Sequence, residues 1–269
     1  MNKKTHKFSI DNIAILYLLT PLILFVLGWL QVWASLPLIM ILCYSLFRYH
    51  YQTSHNNCKI ESKINWKDLI PSAAILLSAL FLTGMTGNWV QHTDYFVRND
   101  IFHDLTAKEW PPALEDGKYF IYYFQTWLPA ALIGSLSNWE IAQWAYFIWS
   151  AIGMGLVLYY LYKTLNTTSF WISFALLAWG GLELIPCALI APWTHGLSIN
   201  EAFSWNNHVA EPLVTFYPCF SIKSIVHCFI PIALICGMLM QKELLVKLAP
   251  LLSICALMYS PMGAIFCFL

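Results

Sequence analysis

From Asn12 to Phe47 the chain carries no charged side chain, 36 residues in all, which would make about 54 Å of continuous helix. One membrane crossing needs about 20 apolar residues. The stretch therefore reads as a hairpin of two helices, Asn12–Leu30 and Trp33–Phe47, broken between Gln31 and Pro37. Later apolar runs predict spans at Asp68–Trp89, Trp139–Tyr162, Ser169–Ala191, Ile225–Gln241 and from Leu245 onward. Residues 119–136 form a further apolar stretch, with two readings: a crossing, or a helix lying in the interface. The expected fold class is all-α: a polytopic membrane helix bundle of about seven transmembrane helices, forming a single membrane domain over residues 1–269.

Lysine and arginine collect in cytoplasmic loops, which orients these spans. Lys3, Lys4 and Lys7 precede the first helix, and Arg48, Lys59, Lys63 and Lys67 follow the hairpin. Both groups belong in the cytoplasm, with two crossings between them. Residues 90–138 then form a first extracytoplasmic loop and residues 192–224 a second. If 119–136 crossed fully, Lys163, Lys242 and Lys247 would lie outside. With 119–136 in the interface they fall inside, leaving only Arg98, Lys108, Lys118 and Lys223 outside, against ten basic residues within. The bias favours seven crossings and an interfacial helix in the first large outside loop.

Composition agrees with lipid as the main solvent. Of 269 residues 59% are apolar, 16% aromatic and only 10% charged, with a mean hydropathy of +0.61; soluble domains are about 25% charged. Fourteen basic residues balance fourteen acidic ones, so no nucleic-acid partner is expected. The eight cysteines show no CxxC pair and no zinc spacing. Most sit in apolar runs, where cysteine acts as a small hydrophobe; a Cys187–Cys219 bridge is conceivable. The N-terminal lysines are followed by too long an apolar stretch for a cleavable signal. The chain ends inside an apolar run at Phe266–Leu269, so it is expected to be a shortened product or the front part of something longer.

Candidate chemistry concentrates outside the predicted spans. Asp94, Asp100, Asp104, Glu109, Glu115 and Asp116 lie in the first loop with His92, Arg98 and His103. If Asp94–Thr106 is helical, Asp100, His103 and Asp104 share one face by i, i+3 and i+4 spacing, with Arg98 four residues after Asp94. Carboxylates gathered at a membrane surface suit a general base or a divalent cation such as Mg or Mn. They equally suit a solvated amphipathic helix paired Asp to Arg. The second loop sets His195, Glu201, His208, Glu211 and Lys223 among Trp193, Trp205, Phe216 and Tyr217, a pattern shared by sugar or headgroup sites and ordinary interfacial belts. Glu183 lies within an apolar span, where an ionisable group is a functional hypothesis by default. No Gly-rich phosphate loop, G-x-S-x-G elbow or HExxH motif is present.

Taken together, the early spans and the acidic first loop resemble the GT-C superfamily of polytopic glycosyltransferases, and especially a group of bacterial multi-span proteins of that type. Asp94, Asn99, Asp104-Leu105, Trp110-Pro111, Tyr122-Tyr123 and the run Leu128-Pro129-Ala130-Ala131-Leu132-Ile133-Gly134 carry the likeness. Arg98 replaces an expected His, Ser135 a basic residue, and Glu183 an Asp. The match runs over about 90 residues, Asp94 to Glu183. It implies transfer of a sugar from a polyprenyl-phosphate donor to an envelope acceptor at the outer face of a bacterial inner membrane. Asp94 would be base or metal ligand, Asp104 its partner in both roles, and Arg98 would pair a donor phosphate, with Asn99, His103 and Glu183 contributing to substrate binding. The competing expectation is a non-catalytic membrane protein, either transporter- or flippase-like or an inactive truncated transferase.

Overall fold

A computed structural model describes residues 10–55, 66–82, 84–87, 94–113, 124–167, 169–173 and 226–259. Among these residues the chain is helical, with no β-strand: α1 (Ile10–Trp29), α2 (Val32–His55), α3 (Trp66–Leu82), α4 (Asp94–Ala107), a 3-10 turn (Gln125–Trp127), α5 (Leu128–Ser135), α6 (Trp139–Leu165), α7 (Val226–Leu239) and α8 (Lys242–Tyr259). Among the described residues three helices are long and apolar enough to cross a membrane: Ile10–Trp29, Val32–Tyr49 and Trp139–Leu165. Leu69–Phe81, Phe229–Leu239 and Leu244–Tyr259 are shorter apolar helices. The apolar surface is what a lipid-facing bundle requires: Leu16, Leu27, Met40, Phe47, Ile148 and Leu257 are all exposed.

Helix α6 is the spine, and its neighbours run along it in fixed directions. Tyr160 donates to Asp11 Oδ1 at 2.6 Å, and Tyr17 stacks on Trp149 at 4.5 Å, so α1 is antiparallel to α6. The Ser72 hydroxyl meets the Tyr162 hydroxyl, while Gly87 lies against the Gln143 amide; α3 is antiparallel as well. In contrast, Ile230 reaches Gly153 and Gly237 packs on Tyr160, so α7 runs parallel to α6. After a tight turn in which Gln241 donates to Thr164 Oγ1 at 2.9 Å, α8 returns, and the Tyr259 hydroxyl donates to the Leu18 carbonyl at 2.7 Å. The end bearing Ile10 is called basal here, the other apical. Lys67, Lys163 and the α7–α8 turn with Lys242 share the basal end; Arg98 on α4 and Lys108 just after it lie at the apical end.

Several boundaries differ from the sequence expectation. Helix α2 begins at Val32, takes Pro37 into its second turn and continues to His55, well past Phe47. The apolar count stopped at Arg48, but a charge does not end a helix; nothing in the stretch before His55 breaks one. Conversely α3 ends at Leu82, seven residues short of Trp89. Gly84 (φ 79°) and Gly87 (φ 74°) turn the chain there in the left-handed region, which suits glycine alone at low cost. Helix α6 starts where expected: Asn138 caps it, accepting from the Ile141 N–H at 2.9 Å. The expected span Ser169–Ala191 and the second loop lie outside the described residues, apart from 169–173.

Candidate apical site

Helix α4 is amphipathic by position. Arg98, Ile101, Phe102, Leu105 and Thr106 are buried, an i, i+3, i+4, i+7, i+8 stripe that faces the bundle. Asp100 and His103 are exposed and Asp104 is half-buried on the other side, so these three share a face, as their spacing predicts. Phe102 is the anchor: its ring meets Trp127 at 6.1 Å, Trp139 at 5.1 Å and Tyr146 at 5.7 Å. His103 touches the Trp139 ring edge at 5.3 Å.

The chain after α4 is held by tryptophan. Trp110 donates its indole N–H to the Leu105 carbonyl at 2.7 Å, filling one of the acceptors a helix end leaves open. Its ring lies over Gly28, where an added Cβ would come within 3.0 Å, and 5.4 Å from Trp29. Phe124 then enters against Phe25 and Trp29. From there the 3-10 turn dips beside Tyr146, roughly 10 Å below the start of α6, and α5 climbs back. Trp127 sits edge-on to Tyr146, and Gly134 touches both Ala142 and Thr106. With eight residues, α5 is about 12 Å long, well short of the ~30 Å of a hydrocarbon core.

Several of the residues that carry the resemblance have a packing role. Leu105, Leu128, Ala130 and Ala131 are at most 1% exposed, Gly134 is the meeting point of α4, α5 and α6, and Trp110 pins the α4 end to α1. The polar positions of the resemblance are Asp94, Asn99 and Asp104, with Arg98 beside them. Asp94 opens α4, one turn before Arg98. Arg98 is buried on the inward stripe and Asn99 is half-buried beside it. Asp104 accepts from Lys108 Nζ at 2.8 Å across one helical turn, so its carboxylate faces a cation on the solvent side. Tyr122-Tyr123 and Glu183 lie outside the described residues.

This geometry does not fit one divalent cation held by both Asp94 and Asp104. Ten residues of continuous α4 separate them, about 15 Å of rise. Two Asp side chains with metal–oxygen bonds of about 2.0–2.6 Å bridge no more than about 12 Å between Cα atoms. Helix geometry also turns Asp104 away from the Arg98 stripe. The candidate site is instead the Asp94–Arg98–Asn99 turn at the start of α4.

A second group of polar residues, inside the bundle, was hidden in the apolar reading. Gln125, Thr126, Gln143 and Ser150 are all buried. The signal was available: Gln143, Tyr146 and Ser150 recur at i, i+3 and i+7 within an otherwise apolar helix. No protein-family model, curated protein or solved structure matches the chain.

Proposed function

We propose that the chain is a membrane glycosyltransferase of the GT-C type, moving a sugar from a polyprenyl-phosphate donor to an envelope acceptor at the membrane face that bears α4. The observation that supports this reading best is the docking of α4. Its Arg98 stripe is packed into the apical end of an apolar bundle, so the acidic segment is a fixed element beside a lipid-facing wall. In the proposed step the acceptor oxygen bonds to the anomeric carbon, the bond from that carbon to the donor phosphate oxygen breaks, and polyprenyl phosphate leaves with the electron pair. Asp94 takes the acceptor proton, and the Arg98 guanidinium, whose planar fork suits phosphate, balances the leaving group. Asn99 and His103 on the same helix, together with Glu183, contribute to substrate binding. The reading includes seven crossings, an interfacial helix within 119–136, a cytoplasmic N-terminus and residence in a bacterial inner membrane.

The test is turnover of polyprenyl-phosphate sugar by membranes carrying the chain. Loss of a general base typically costs about 10²–10⁴-fold, so Asp94→Asn is expected to lose activity in that range while expression is unchanged. Near-normal turnover in that variant removes Asp94 from the chemistry. Absence of turnover in the unaltered chain favours the non-catalytic reading, with the Asp104–Lys108 pair as a solvated helix surface.

A further inference from the structure

Tyr17, Trp149 and Ser150 meet inside the bundle, about halfway along α6. The Tyr17 ring stacks on Trp149, and its hydroxyl occupies the space left by the missing side chain of Gly153. Gly153 is one helical turn from both Trp149 and Ser150, and Cβ atoms one turn apart are about 5–6 Å from each other. Three polar groups thus converge within one turn. All are buried, yet Tyr17 Oη, Trp149 Nε1 and Ser150 Oγ have no hydrogen-bond partner in the protein. A fourth, Gln125 Oε1 on the 3-10 turn, is in the same condition.

Burying such a group unsatisfied carries its full desolvation penalty, and lipid cannot supply a partner. Several together, on two packed helices, point to a shared occupant. The set contains donors and acceptors but no charge, which suits water better than a phosphate or a metal ion. It is also continuous with the apical end: Gln143, Tyr146 and Ser150 form a polar stripe down the inward face of α6. The stripe begins where Gln143 lies against Gly87, next to the buried Thr86 hydroxyl, which also lacks a protein partner. Non-helical backbone such as the 3-10 turn is tolerated at membrane depth where protein or water surrounds it. Below Gly153 the α6 core becomes apolar, with Met154, Val157 and Leu158 buried.

We propose that this seam between α1 and α6 binds a file of water molecules entering from the apical end and stopping at Tyr17. The inference is independent of the glycosyltransferase reading. X-ray hydroxyl-radical labelling of the full chain in lipid nanodiscs tests it, because radicals form from water and attack aromatic rings beside it. Tyr17 and Trp149 are expected to be oxidised well above Tyr160, which is fully buried and whose hydroxyl is held by Asp11. Ser150→Val, which fills the seam with apolar volume, is expected to lower labelling at Tyr17. Labelling of Tyr17 and Trp149 no faster than Tyr160 overturns the proposal. So does a folded Ser150→Val variant that leaves Tyr17 labelling unchanged.

Discussion

Two glycines on or next to α6 show how much a single Cβ decides. At Gly134 an added methyl would lie 2.5 Å from Ala142 Cβ and 2.7 Å from Thr106 Cγ2, with helix backbone behind both. Overpacking of this kind costs about 1–3 kcal/mol, so Gly134→Ala should lower the midpoint of thermal unfolding in detergent. Gly155 has nothing within 4 Å of the same position. There the alanine only removes backbone freedom, worth about 0.5–1 kcal/mol in a helix, and Gly155→Ala should raise the midpoint. Equal shifts in the two variants would contradict the close approach of α4, α5 and α6. Asp104→Asn belongs at this scale too. An exposed i, i+4 pair is worth about 0.3–0.5 kcal/mol, so the variant should unfold almost as the parent does. A large stability loss would mean that Asp104 holds more than Lys108.

At the level of the element, α4 is held by aromatic rings more than by charge. Phe102 alone contacts three rings, and Phe→Ala changes in packed cores cost about 3–5 kcal/mol. Losing that anchor should free α4 locally before it unfolds the bundle, since α1, α3, α6, α7 and α8 are joined by other contacts. Phe102→Ala is therefore expected to speed tryptic cleavage after Lys108 by far more than cleavage after Lys163. Uniform acceleration at both sites would show that α4 is integral to the bundle. Trp110→Phe offers a milder version: it keeps a ring over Gly28 but loses the bond to the Leu105 carbonyl, worth about 0.5–1.5 kcal/mol.

For the whole molecule, the helix directions make a topological prediction. The start of α1, the end of α6 and the α7–α8 turn share one end, and α4 lies at the other. Single cysteines introduced at Lys163 and at Lys108, in a background without other cysteines, should react with a membrane-impermeant maleimide from opposite sides of the membrane. Labelling of both from the same side would break the assignment of α4 to the outer face and the proposed site with it. The length of α5, about 12 Å, bears on the same point, because α3 and α6 can be antiparallel neighbours only if an even number of crossings lies between them.

The apolar runs alone determined that their described segments are helices apolar enough for a membrane, because hydrocarbon accepts backbone only when its polar groups are paired within the segment. The start of α6 was legible through Asn138, and α4 through its i, i+3, i+4 spacing, since caps and periodicity are local. Helix ends at Leu82 and His55 were not, because hydropathy registers side chains while the Gly84 and Gly87 backbone, or the absence of any breaker before His55, sets the end. Within the acidic cluster, the shared face of Asp100, His103 and Asp104 was legible from their spacing, but the separation of Asp94 was not. Which acids share a place depended on α4 being one unbroken helix, which separates Asp94 from Asp104 and turns Asp104 toward Lys108. Likewise the run Leu128–Gly134 could be read as a motif, but its meaning, three helix backbones meeting at Gly134, exists only in the packed state. The Tyr17–Trp149–Ser150 seam belongs wholly to tertiary structure: Tyr17 and Ser150 are 133 positions apart, and only the antiparallel packing of α1 on α6 makes them neighbours.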